Sequence, residues 1–114
     1  MKFPKDKAKW MSQGKGFDVM EYCENSPFPM DAAYVKLKDV TYPWKKHKDF
    51  HELYYIVKGT LLIEFEDGSK ETLNEGDVYI MPPSKPHRLS AKEAELFVVC
   101  TPPFKQENMQ VIGE

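Results

Sequence analysis

The chain has 114 residues, 41% of them hydrophobic and 30% charged, with a formal net charge of −2. That length supports one domain with one modest core, and the composition excludes a disordered chain. Lysines and acids are mixed without a basic block, which argues against nucleic acid, and the longest apolar run, Leu96 to Cys100, is far too short to span a bilayer.

The chain begins "MKFPKDKAKW", which lacks the apolar stretch of a signal peptide and so predicts a cytoplasmic protein. Residues 1–16 are polar and lysine-rich and read as a loose arm ending in a Gly-Lys-Gly turn. "FDVMEY" at 17–22 is a strand candidate, and the prolines of "NSPFPM" break it. "AAYVKLK" at 32–38 alternates: Ala33, Val35 and Leu37 share one face, Tyr34, Lys36 and Lys38 the other, which is a half-buried strand. "TYPW" is a proline-marked break. "ELYYIV" follows, rich in aromatic and β-branched residues and closed by Gly59.

In "TLLIEFE", Leu61, Ile63 and Phe65 alternate with Leu62, Glu64 and Glu66, and "DGS" at 67–69 marks a hairpin to "KETL". "NEGD" is a further turn, "VYIM" a short strand and "PPSKP" a rigid loop. "HRLSA" and "ELFVVC" read as two last strands divided by the polar "AKEA". Helical periodicity is hard to find. Strands every 8–12 residues with turns between predict an all-β protein, closed into a barrel or two-sheet roll to avoid open edges. Cys23 and Cys100 are no CxxC pair, and each reads as a buried thiol rather than half of a disulfide.

Chemistry concentrates in "KKHKDFHELYYIVKG", residues 45–59. On a regular strand Glu52, Tyr54 and Ile56 share one face, while His51, Leu53, Tyr55 and Val57 share the other. His51 and Glu52 therefore point oppositely unless a bulge intervenes. His87 opens a strand behind a proline loop, placed to project into a barrel. Each histidine alone is most simply a solvated or hydrogen-bonded residue; His47, Glu52 and His87 together suggest one site.

The spacing resembles that of the cupin superfamily, whose two motifs read G-x5-H-x-H-x3,4-E-x6-G and G-x5-P-x-G-x2-H-x3-N. Here His47, Glu52 and Gly59 match the first, and Gly76, Pro82 and His87 the second, with sixteen residues between the motifs. The resemblance covers roughly residues 32–103 as the barrel, leaving 1–31 as an arm with a first strand and 104–114 as a tail. It implies a cupin-type double-stranded β-helix, a jelly-roll barrel. Asp39, Ser84 and Ala91 stand where the family has glycine, glycine and asparagine, and Lys45 replaces the first histidine of the pair.

By that resemblance, cupins that bind metal use three histidines and a glutamate, of which this chain keeps His47, Glu52 and His87. Two histidines and a carboxylate suit iron, and zinc, manganese or nickel also fit such a set. Lys45, beside a divalent ion, would lose its proton, swing out or bind an anionic substrate group; otherwise it points to solvent at the rim. A bulge turning His51 inward would replace the missing histidine. A partial similarity to ectoine synthase-like cupins, carried by "GDVYIM", "HRLSA" and "VVCTPPF", adds Tyr79 beside Glu52 and His87 as a site residue.

The reading is a small metal-dependent cupin enzyme acting on a small polar metabolite, by isomerase, lyase, cyclase or dioxygenase chemistry. Tyr54, Tyr79 or Lys45 would handle protons. The alternatives are a non-catalytic, sugar-like ligand-binding barrel and a metal-free acid–base barrel using Glu52, His87 and the tyrosines. Small cupins commonly dimerise through strands near the N-terminus, and Leu62 with the Phe97/Val99 face offers apolar surface for a homodimer.

Overall fold

Alternation decides the walls. Val35 and Leu37 are buried while Lys36 and Lys38 are exposed, and Leu61, Ile63 and Phe65 are buried while Leu62 and Glu64 are only partly covered. Each such strand has one face that must meet another sheet face, so the chain curls on itself.

The computed structural model describes residues 1–23, 27–103 and 109–113. After a 3-10 turn at Lys5–Lys7 come ten strands: β1 (Lys9–Ser12), β2 (Phe17–Glu21), β3 (Asp31–Thr41), β4 (Trp44–His47), β5 (His51–Gly59), β6 (Leu61–Phe65), β7 (Lys70–Leu73), β8 (Val78–Met81), β9 (His87–Thr101) and β10 (Met109–Gly113). Among the described residues no helix is long and apolar enough to cross a membrane.

Neighbouring strands run in the order β1-β2-β3-β9-β4-β10; β5 joins β8 to β9, and β6 joins β7 to β9. The described pairs are antiparallel. This is the curled sheet of a jelly-roll barrel, with β9 as its spine, paired to β3, β4, β5 and β6. The interior holds Phe17, Val35, Leu37, Ile56, Leu61, Ile63, Leu89 and Leu96 among others. Each fully buried aliphatic side chain there contributes about 1.5–3 kcal/mol.

Four segments differ from the expectation. "AKEA" does not divide two strands: β9 is continuous through it, because Lys38↔Glu93, Val40↔Ala91 and Gly59↔Ala94 keep the ladder paired while Lys92 and Glu93 face water. β4 escaped the apolar pattern because its inward positions are Lys45 and His47. The expected loose arm contains β1, whose four residues are all exposed and which is held by its ladder to β2. Of the tail, residues 104–108 and 114 lie outside the described residues, whereas Met109–Gly113 forms β10 against β4.

The turns follow their residues. The "DGS" hairpin closes with the Phe65 N–H donating to the Ser69 carbonyl at 2.9 Å, Gly68 taking φ +90°. Gly59, at φ +78°, is different: a Cβ there would collide with the Glu93 carbonyl oxygen on β9, whereas one at Gly68 would meet nothing within 4 Å. Only a residue without a side chain lets β5 turn this close to β9. Gly59→Ala is therefore expected to cost more than about 2 kcal/mol, and Gly68→Ala about 1 kcal/mol, as measured by urea unfolding midpoints. Equal losses would show that the β5–β9 approach is not tight.

Candidate metal centre

The site begins on β4, where Lys45 and His47 share the buried face. The chain then turns through Asp49, at φ +69°, and Phe50, which is buried with its ring 4.6 Å from that of His47. β5 starts immediately. Its register runs unbroken from His51↔Thr101 to Ile56↔Leu96, and the bulge lies beyond, between Ile56 and Lys58. Glu52 and Tyr54 therefore face inward and are buried, while His51 faces out and is exposed. The expectation of a bulge that turns His51 inward as a ligand is overturned: the irregularity is in the wrong place.

His87 opens β9, the strand beside β4, paired with Lys45 of β4 and Phe65 of β6. The proline loop orients it. Its Nδ1 lies 2.8 Å from the Lys85 carbonyl oxygen, and Ser84 N–H donates to the His47 carbonyl at 2.6 Å. A carbonyl only accepts, so Nδ1 carries the proton and Nε2 presents its lone pair to the interior. Ser84 (φ +62°) and Asp39 (φ +47°) stand at the two glycine positions of the motifs, and both keep the left-handed backbone that glycine usually supplies. The turns survive although the glycines do not.

The three side chains meet. One donor atom from each of His47, Glu52 and His87 lies within 4.8 Å of the others. His47 Nε2 is 2.9 Å from Glu52 Oε1, and the two imidazole centroids are 5.5 Å apart. With bonds of about 2.1 Å, neighbouring donors around an octahedral ion sit about 3 Å apart and opposite ones about 4.2 Å. The His47–Glu52 separation is such an edge, and the third donor lies near enough for one ion to draw the three together. His87 Nε2 is buried and, among the described residues, has no hydrogen-bond partner. The donor set and that unpaired nitrogen fit a divalent ion.

The electrostatics agree with a ligating carboxylate. Burial alone would raise the Glu52 pKa; the hydrogen bond and charge of His47, the Lys45 ammonium and the Tyr54 hydroxyl outweigh it and hold the group at about 2. Tyr54 donates to Glu52 Oε1 at 2.7 Å. Its own pKa lies well above the usual phenol value, through burial first and the neighbouring carboxylate second. Burial lowers His87 to about 4, which keeps it neutral and able to bind a cation.

A cavity of about 120 Å3 opens beside the cluster, walled by Lys45, His47, Glu52, Tyr54 and Cys100 and by apolar residues including Val35, Leu37 and Leu89. Lys45 points inward rather than to the rim, only 6% exposed. Burial pushes its pKa down while Glu52 opposes the change. Tyr79 is not brought to the cluster: it is partly exposed, packs 6.2 Å from the Phe65 ring and does not wall the cavity. Two neighbours were missed. Cys100 lies opposite Glu52 with Sγ 3.8 Å from Oε2, and the alternation Leu96, Val98, Cys100 already pointed it inward. Tyr42 lies beneath Lys45, and its signal was hidden in a proline-marked break.

With the barrel and its donors in place, the family follows. The Cupin domain family model matches residues 35–100, and the chain belongs to that family. An uncharacterized protein of Bacillus subtilis, YdbB, is 36% identical over 47 residues, 41% of this chain and 42% of that one. The chain spans about half the length of the curated relatives it matches. Among solved structures, Pac13, a nucleoside dehydratase from Streptomyces, superposes with a TM-score of 0.84 at 14% identity, covering 99% of this chain and 91% of that one. Ectoine synthase from P. lautus superposes at 0.75 with 18% identity, covering 88% and 78%. At these identities the likeness is one of fold.

The buried groups couple stability to pH. His87 is near pKa 4 when folded and 6.5 when free, so the unfolded chain takes up its proton first and stability falls as pH drops from 6.5 towards 4. Glu52, at about 2 against 4.5, contributes stability above pH 4.5 that is lost as pH falls through 2. In chelator-treated protein, urea midpoints are expected to fall between pH 6.5 and 4, and less steeply in His87→Gln. Parallel profiles for the two proteins would contradict the assignment.

Proposed function

We propose that this cupin binds one divalent ion through His47, Glu52 and His87 and is an enzyme acting on a small polar metabolite in the barrel cavity. One observation carries this reading. His87 Nε2 is buried, unpaired among the described residues, and held with its lone pair facing the other two donors by the bond from Nδ1 to Lys85. An orphaned acceptor in a dry wall is costly unless something occupies the space before it.

The ion would supply Lewis acidity towards a carbonyl or hydroxyl oxygen of the bound molecule. The chain's residues do the rest. Tyr54 keeps its proton and donates a hydrogen bond from its hydroxyl to Glu52, fixing the carboxylate for ligation. Phe50 closes the side of His47, and the apolar wall limits water. The nucleoside dehydratase and ectoine synthase folds support an enzymatic use of this barrel.

Elemental analysis after loading with iron, manganese, nickel or zinc is expected to find one ion per chain in the wild type and in His51→Ala, and none in His87→Ala or Glu52→Ala. Failure to retain any of the four metals would favour the metal-free acid–base barrel, in which Glu52, His87 and Tyr54 act alone.

We also propose a homodimer. Tyr55, Val57, Val78 and Ile80 are 43–58% exposed on the outer face of β5 and β8, and Tyr55 and Leu53 lie beside the half-buried Phe97 and Val99 of β9. Such a contiguous apolar face is an association surface. Leu62, expected to contribute, instead lines a groove with Thr41 and Ser90. Light scattering at micromolar concentration is expected to give twice the chain mass, and Ile80→Lys the chain mass. A monomeric wild type would overturn the assignment.

A further inference from the structure

Lys45 is two residues before His47 on β4 and shares its inward face. A lysine normally lays its stem over apolar surface and puts the amine in water. Here the opposite happens. The residue is 6% exposed, and Nζ sits 4.3 Å above the centre of the Tyr42 ring and 5.7 Å from that of Phe17. Those two rings are its close contacts: among the described residues, no carboxylate or carbonyl is within ion-pair or hydrogen-bond distance of the amine. The amine thus borders a cavity walled by apolar residues such as Val35, Leu37 and Leu89 as well as by His47 and Glu52, with N–H donors left for an occupant.

The other charges set a polarity. Glu21 and Asp31 also wall the cavity. Asp31 pairs with Cys100, which lies between it and Glu52, while Lys45 pairs with His87 at the other end of β9; Asp31 Oδ1 accepts from the Ala32 N–H and Glu21 Oε1 from the Cys23 N–H. An occupant meets a cation at one end and carboxylates at the other. At about 120 Å3 the cavity suits a compact molecule.

We propose that Lys45 anchors the carboxylate of the substrate, so that the site takes a compact hydroxy or oxo acid. The carboxylate rests on Nζ above Tyr42, and the acid's hydroxyl or carbonyl oxygen faces the His47, Glu52 and His87 donors. The second contact rests on the metal-site reading; the first does not. Replacement of a ligand histidine by lysine thereby exchanges one metal contact for one substrate contact. The amine gains a charged partner in a largely apolar cavity, where such hydrogen bonds are strengthened.

Calorimetric titration of the full chain, metal-free and after manganese loading, tests this with lactate, pyruvate and glycolate against the neutral lactamide and propane-1,2-diol. Wild type is expected to bind the acids about 10- to 100-fold more tightly than the neutral analogues, the worth of one charge-assisted hydrogen bond. Lys45→Met and Lys45→Gln are expected to lose that preference and still bind manganese. Should neither variant fold, the wild-type comparison decides by itself: neutral analogues bound as well as the acids overturn the proposal. So does an unchanged preference in a folded variant, or tighter binding of inorganic phosphate than of any acid. Acid preference in a chain that retains no metal supports the lysine anchor and removes the ion; metal retention without acid preference does the reverse.

Discussion

A β-strand returns to the same face only at every second residue, and everything inside this barrel obeys that parity. Lys45 and His47, Glu52 and Tyr54, and Val98 and Cys100 are inward because each pair is two apart on strands whose register is fixed. A slip of one residue on β5 would send Glu52 outward, bring His51 in and expose Ile56. The same hydrophobic demand that buries Ile56 and Leu96 therefore aims the carboxylate. Folding and site assembly are one event on these strands.

The polar groups so delivered are held by partners both near and far in the sequence. Glu52 sits between His47, Tyr54 and Cys100; His87 leans on the Lys85 carbonyl; the Ser84 N–H ties that loop to His47. In a low-dielectric interior such bonds are strong, and a polar group left without one is costly. Among the described residues, His87 Nε2 and the Lys45 amine lack such a bond. One is an acceptor grouped with the donors of His47 and Glu52, and the other a donor that borders the cavity.

The scaffold around them makes few concessions to its departures from the family motifs. Asp39 and Ser84 take up the positive φ of the missing glycines, so the loops keep their shape. Asp and Ser tolerate this region at modest energetic cost. Lys45 is a different kind of change, because it alters what the site can contact without altering the strand that carries it.

Much of this was legible beforehand. The alternation of Val35/Leu37 and of Leu61/Ile63/Phe65, the "DGS" turn and the motif spacing of His47, Glu52 and His87 gave the strands, the barrel and the three donors, because period and turn chemistry are local properties. β4 and β1 were not legible, since one carries polar residues inward and the other is exposed throughout and paired to β2 by its ladder. Whether His51 or Glu52 entered the barrel depended on where β5 bulges, which is settled by its ladder with β9. The inward turn of Lys45, the exclusion of Tyr79 and the approach of Cys100 to Glu52 were likewise decided only by tertiary structure. Sequence by itself determined which residues have the chemistry and the period to form a site. Pairing between strands far apart in the chain determined which of them face one another, because a side chain's neighbours across a sheet are set by register.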